Sequence, residues 1–138
     1  MTNPIPQGNY RPAIRWGNTI YTAGMTPRKD GVLVATGKFN TAEDLEGFRE
    51  TVIQAAANVI AAIENCLAEG EHIAQILSLY VFVNASSSFT LHPKVGDIVS
   101  DYICGRYGDA GKSIRVAVGM ASLPGDAPVE VQAIAAVE

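Results

Sequence analysis

Two side chains in the last quarter of the chain, Ser113 to Glu138, carry most of the chemistry this sequence offers. Arg115 is the only charge in the apolar run Ser113-Ile114-Arg115-Val116-Ala117-Val118-Gly119, and Glu130 opens the alternating run Val129-Glu130-Val131-Gln132-Ala133-Ile134. A guanidinium planted among apolar residues must find an anion or water, because burying an unpaired charge is costly. Its planar fork matches a carboxylate in two parallel bonds. Arg115 is therefore either a receptor for a carboxylate ligand or one half of a structural ion pair with Glu130 or another acid. Between the two runs, Leu123-Pro124-Gly125-Asp126-Ala127-Pro128 supplies a fixed φ at proline and a free one at glycine, which suits a chain reversal. If the runs pair as a hairpin with a register centred near Ser122 and Leu123, Arg115 and Glu130 lie close across the ladder. Glu130 has a plainer alternative, an outward-facing carboxylate on a half-buried strand.

The elements that must position these groups follow from hydrophobic period and turn chemistry. Both runs are short and β-branched or alternating, and read as strands. Two apolar runs around Gly17-Asn18 between residues 11 and 23 read as an opening hairpin. Val32-Leu33-Val34 after the Asp30-Gly31 turn reads as a short third strand. Thr41 with Asp44 three residues on resembles a capping box. From there Leu45, Phe48, Val52, Ala56, Val59, Ile63 and Leu67 form one apolar stripe, predicting a single helix that runs to the stop at Gly70. Gln75 to Val83 is a near-continuous apolar strand, expected at the sheet centre with both faces buried. Pro93 suits the first turn of a second helix with Val95, Val99, Tyr102 and Ile103 inward, ended by Gly105 and Gly108 to Gly111. Strand, strand, strand, helix, strand, helix, strand, strand makes an α+β domain, a mixed sheet with two helices on one face and the other face in need of a partner.

Composition bounds the rest. A chain of 138 residues is one domain's worth and buries roughly two-thirds of its unfolded surface. With 48% hydrophobic and 17% charged residues it is globular. A net charge of -4 and no Lys/Arg cluster argue against a nucleic-acid surface. No apolar run approaches a membrane span and Met1 to Asn9 lacks a signal-like core, so a cytoplasmic protein is expected. Cys66 and Cys104 have no ligand-like spacing and read as reduced core thiols inside helices. His72 reads as a loop residue and His92 as a cap before Pro93, neither with a catalytic role.

The string S-I-R-V-A-V-G-M-A-S-L-P-G-D-A-P-V-E-V-Q-A-I-A resembles the C-terminal signature of the Rid (YjgF-type) family, reactive-intermediate deaminases once labelled L-PSP endoribonucleases or translation inhibitors. Tyr10, with Trp16-Gly17-Asn18-Thr19-Ile20-Tyr21-Thr22-Ala23-Gly24, resembles the family's N-terminal tyrosine and strand-turn-strand. The resemblance implies a chorismate-mutase-like homotrimer with a cleft at each subunit junction. It further implies hydrolysis of 2-imino or enamine acids such as 2-aminoacrylate, a small-molecule carboxylate substrate, and no metal or cofactor. In that reading Arg115 holds the substrate carboxylate, with Ala23, Gly24 and Asp97 lining the binding side. Glu130, the backbone carbonyl near Ala117, and Tyr10 orient water or move a proton. Tyr10 has a plainer alternative as a surface residue near a frayed terminus. The chain departs from the family pattern at Ala23, where a serine is common, at Ala117, where a cysteine is common, and at Asp97, where an asparagine is common. A non-catalytic carboxylate-binding or regulatory trimer is the alternative function. Ribonuclease or translation-inhibitor activity stands third, lacking a basic stripe and paired histidines.

Overall fold

Gly17, at φ +62°, and Asn18 reverse the chain in two residues, so β1 (Ala13–Trp16) and β2 (Thr19–Thr22) pair from Trp16↔Thr19 to Ala13↔Thr22. The computed structural model describes residues 2–138. Asp30 and Gly31, both at positive φ, join β3 (Arg28–Lys29) to β4 (Val32–Leu33) as a separate two-stranded ribbon, as two-residue loops of this type require. The main elements then run α1 (Glu43–Gly47), α2 (Arg49–Glu64), β5 (Ile73–Asn84), α3 (His92–Tyr107), β6 (Ile114–Met120) and β7 (Val129–Val137).

The first helix differs from the single long helix expected. Phe48 leaves helical geometry at φ -104°, ψ 7°, and its ring packs on the fully buried Phe39 with centroids 4.9 Å apart. Asp44 accepts from the backbone N–H groups of Asn40 and Thr41, so the carboxylate half of the capping box is present. α2 ends at Glu64 rather than near Gly70, where the Asn65 amide turns back to the Ala61 carbonyl at 2.7 Å. Cys66 therefore lies beyond the helix, and both thiols are half-buried rather than core. Within α2 the stripe Val52, Ala55, Ala56, Val59, Ile60 and Ile63 is buried as its spacing demands.

The five-stranded sheet has the order β1-β2-β7-β5-β6. β5 pairs with β6 in parallel and with β7 antiparallel, so β6 and β7 are not a hairpin. The whole of β5 lies between them. α3 makes the crossover that a parallel β5–β6 pair needs, and the turn at 121–128 carries the chain past the end of β5. Asn84 fixes that passage. It is completely buried, and its amide donates to Gly37 O, Asp126 Oδ1 and Ala127 O at 3.1–3.3 Å.

β5 lies next to the edge rather than at the centre, and only one of its faces is covered. Leu79, Val81 and Val83 point into the core with Val129, Val131, Ala133, Val95 and Val99, while Leu77 and Tyr80 remain exposed. The other face carries a cross-strand row Ile14, Tyr21, Ile134, Ser78, Ile114, with Tyr80, Val116, Phe82 and Val118 further along. Ile114 is 75% exposed and Trp16 80%. The fold is thus α+β, helices on one face of a mixed sheet, the opposite face apolar and open.

Candidate functional site

Register decides where the two predicted charges point. Arg115 pairs with Leu79 on β5, whose own partner on β7 is Ala133, and both neighbours are buried beneath the helices. Arg115 therefore faces α3. Its Nη1 donates to Asp97 Oδ1 at 3.1 Å and to Ser100 Oγ at 3.0 Å, and its Nη2 to the Pro93 carbonyl at 3.3 Å. The guanidinium lies flat over Gly96, where an added Cβ would stand 2.8 Å from Cζ. The side chain stays 22% exposed, so it is seated by α3 and open on one side. Of the alternatives for this arginine, the intramolecular ion pair is present, and its partner is Asp97.

Glu130 pairs with Phe82, which pairs in turn with Val118. Those residues lie on the open face. Arg115 and Glu130 thus sit on opposite faces of one sheet, three strands wide at that point, and do not meet within a chain. The expected contact across a β6–β7 ladder is corrected for this reason: β5 intervenes and the two positions differ in facing parity.

Glu130 has its own setting. Met25 bridges Val131 through two backbone bonds, 2.7 and 2.9 Å, which brings Gly24 over the Glu130 carboxyl. A Cβ at Gly24 would lie 2.9 Å from Cδ, so any larger residue there would push the carboxyl out of this position. Burial pushes the Glu130 carboxyl above its ordinary range, the direction a proton carrier near neutral pH requires. Ala23 is fixed by its N–H to Pro12 O at 2.8 Å, and its carbonyl accepts from Thr22 Oγ1. Tyr10 is half exposed, its hydroxyl accepting from Gln7 N at 3.0 Å. Tyr10, Ala23, Ile14 and Tyr21 line an open hollow of about 640 Å³, and Tyr10 and Gly24 share a second, smaller cavity of about 180 Å³.

The structure therefore sorts the predicted residues into two groups. Arg115, Asp97 and Ala117 belong to the β6–α3 side, and Glu130, Gly24, Ala23 and Tyr10 to the β2–β7 side. Ala117 is half-buried and pairs with Val81. Gly96, Ser100 and His92 are additions that the sequence reasoning missed. A glycine in mid-helix costs about 1 kcal/mol against alanine, which was the available signal for Gly96. His92 is the first residue of α3, not a cap: Leu91 holds the cap position, and the imidazole packs edge-on to Phe89 over Gly119. His72 is a loop residue whose backbone exchanges two bonds with Glu138.

Known proteins resemble the chain throughout. A family model described as Endoribonuclease L-PSP matches residues 1–137. Protein TCP17 of Trypanosoma cruzi is 30% identical over 130 residues, 94% of this chain and 81% of that protein. A 2-iminobutanoate/2-iminopropanoate deaminase of Dermatophagoides farinae is 27% identical over 135 residues, covering 98% and 91% respectively. Among solved structures, protein Atu1372 of Agrobacterium tumefaciens superposes with a TM-score of 0.84 at 29% identity, over 97% of this chain and 86% of that one. The YjgF gene product of E. coli superposes with a TM-score of 0.71 at 25% identity, over 97% and 92%. With a family signature that spans the sequence and a sheet, helices and crossover that superpose on YjgF, the chain belongs to the Rid/YjgF, or endoribonuclease L-PSP, family.

Proposed function

We propose that this protein hydrolyses 2-imino acids to 2-oxo acids and ammonia, at sites assembled between copies of the chain in a homotrimer. The observation that carries the reading is the placement of Arg115 and Glu130 on opposite faces of one sheet, each part-exposed and each with a small-residue clearing beside it. Two such halves serve one reaction only if different copies supply them. The similarity to a 2-iminobutanoate/2-iminopropanoate deaminase supports the substrate class.

The chemistry asks little of the protein. Arg115 holds the substrate carboxylate through N–H groups on its open side, and the Ala117 carbonyl of the same strand, with Glu130 and Tyr10 from a facing copy, orients one water on the imine carbon. The water oxygen bonds to that carbon as the C=N π pair moves to nitrogen. Glu130, with its raised affinity for a proton, passes protons from the oxygen to the nitrogen, and C–N cleavage releases ammonia and leaves the C=O. Positioning supplies most of the acceleration, and proton transfer a further 10²–10⁴-fold, roughly. Binding without turnover is the second reading, favoured by Asp97, which already occupies Arg115, and by the missing hydroxyl at Ala23.

Mixing two inactive variants tests the arrangement. Arg115→Met and Glu130→Gln chains, each inactive alone, should regain a fraction of 2-iminobutanoate hydrolysis after being unfolded and refolded together, because mixed trimers contain junctions with both intact groups. Persistent inactivity of well-folded mixed trimers would falsify the shared site.

A further inference from the structure

On the helix-facing side of β6, Arg115, Ala117 and Gly119 follow one another at every second residue. The alanine and the glycine keep this stretch of the strand free of bulky side chains, and the His92 ring stands over Gly119. Arg115 stands at one end of this stretch, bonded to the Pro93 carbonyl. At the other end lies a cavity of about 590 Å³, lined by Lys38, Ser86, Ser87, Phe89, His92 and Gly119 among others. Residues four apart on a strand stand about 13 Å apart at their Cα atoms, so the reach from Arg115 to this cavity is longer than a three- or four-carbon imino acid spans.

The far cavity has the chemistry of an anion site. Lys38 donates to Asn84 Oδ1 at 2.8 Å and to the Ala121 carbonyl at 2.5 Å. Both acceptors are neutral, and among the described residues no carboxylate stands within ion-pair distance of its ammonium, so none of them compensates the charge and one of its three N–H bonds is left over. Asp126 is a second neighbour only, bonded to the far side of Asn84. The His92 ring makes no hydrogen bond among the described residues; its Nε2 lies 2.6 Å from the place a Gly119 Cβ would occupy. Ser86 and Ser87 add hydroxyls, and among the described residues no acidic side chain lines the cavity.

We infer that this cavity is a side-chain subsite for a second anionic group, so that the preferred substrates are 2-imino dicarboxylates whose distal carboxylate reaches Lys38, His92 and Ser87. The inference rests on the proposed hydrolysis for its kinetic readout, but its binding readout stands apart from it. Imino acids generated in situ from aspartate, glutamate, 2-aminoadipate and 2-aminobutyrate are compared on the intact protein, with 2-oxoadipate and 2-oxobutanoate titrated calorimetrically in parallel. The expected result is a kcat/KM that rises with chain length among the dicarboxylates and exceeds that for 2-iminobutanoate about tenfold or more at the longest. 2-Oxoadipate should also bind more tightly than 2-oxobutanoate. Ser87→Asp, at an exposed position that tolerates the change, should cut both ratios about tenfold by setting a like charge beside the distal group. Lys38→Gln should do the same wherever it folds. Ratios near one, or ratios that both variants leave unchanged, overturn the subsite. If no imino acid is turned over, the hydrolytic reading falls, and the two titrations with the Ser87→Asp comparison still decide whether the subsite exists.

Discussion

At the residue scale, Arg115 is held by three bonds to α3 and still keeps an open side. Charge-assisted hydrogen bonds contribute on the order of 1.5–3 kcal/mol each. Arg115→Met should therefore lower kcat/KM for 2-iminobutanoate by about two to four decades, and Arg115→Lys should recover little, since an ammonium cannot reproduce the fork. The Asp97 partnership adds a second expectation. Asp97 is more than half exposed and competes for the same guanidinium, so Asp97→Asn should lower KM for carboxylate substrates severalfold. Melting temperatures on the same variants separate the roles. An Arg115→Met protein that melts much earlier but hydrolyses at the parent rate would make the arginine purely structural.

At the element scale, α3 carries a glycine where a helix prefers almost anything else. Gly96→Ala should add about 1 kcal/mol of helix propensity, yet its Cβ would fall 2.8 Å from Arg115 Cζ and Nε and displace the guanidinium. The expected variant is folded, with activity reduced toward that of Arg115→Met, as kinetics beside circular dichroism would show. A second clamp lies at the opposite edge of the sheet. Arg15 on β1 donates to both oxygens of Glu71, at 2.5 and 2.7 Å, and to the Cys66 carbonyl, tying the first hairpin to the segment after α2. That bonding holds the Glu71 carboxyl down at about 2, against an ordinary 4.5. A depressed folded pKa stabilises the protein above the unfolded value, and the contribution fades as pH falls from about 4.5 toward 2. Glu71→Gln should lower the melting temperature at pH 7, and the gap to the parent should close over that acid window. A gap independent of pH would mean that the charge of Glu71 contributes nothing.

At the scale of the whole molecule, the open face of the sheet sets the expectation. Ile114, Val116, Val118, Tyr80, Tyr21, Ile14 and Trp16 are all exposed on one chain and share one face of the sheet, the kind of apolar face that marks an interaction surface. Light scattering should give a mass near three times 14.6 kDa, and Val116→Glu should shift it toward a single chain with loss of hydrolysis. A parent protein that runs as one chain at micromolar concentration would remove the shared site along with the trimer.

Much of this architecture is legible in the amino-acid order because it depends on local rules. Gly17-Asn18 and Asp30-Gly31 turn as their conformational freedom dictates, Pro93 starts α3, and the buried stripe of α2 follows from a 3.6-residue period. Signature residues around Arg115 and Glu130 likewise mark the family from sequence alone. What the order of residues does not contain is strand order. Leu123 to Pro128 has the composition of a hairpin turn, and nothing local reveals that β5 inserts between the strands it joins; that is decided by Asn84 and by the long-range pairing of β5 with both neighbours. The same pairing sends Arg115 beneath α3 and Glu130 to the open face. It also brings Asp97, Ser100 and Lys38 to their places, since side-chain parity along a strand acquires a direction only once the helices have chosen which face to cover.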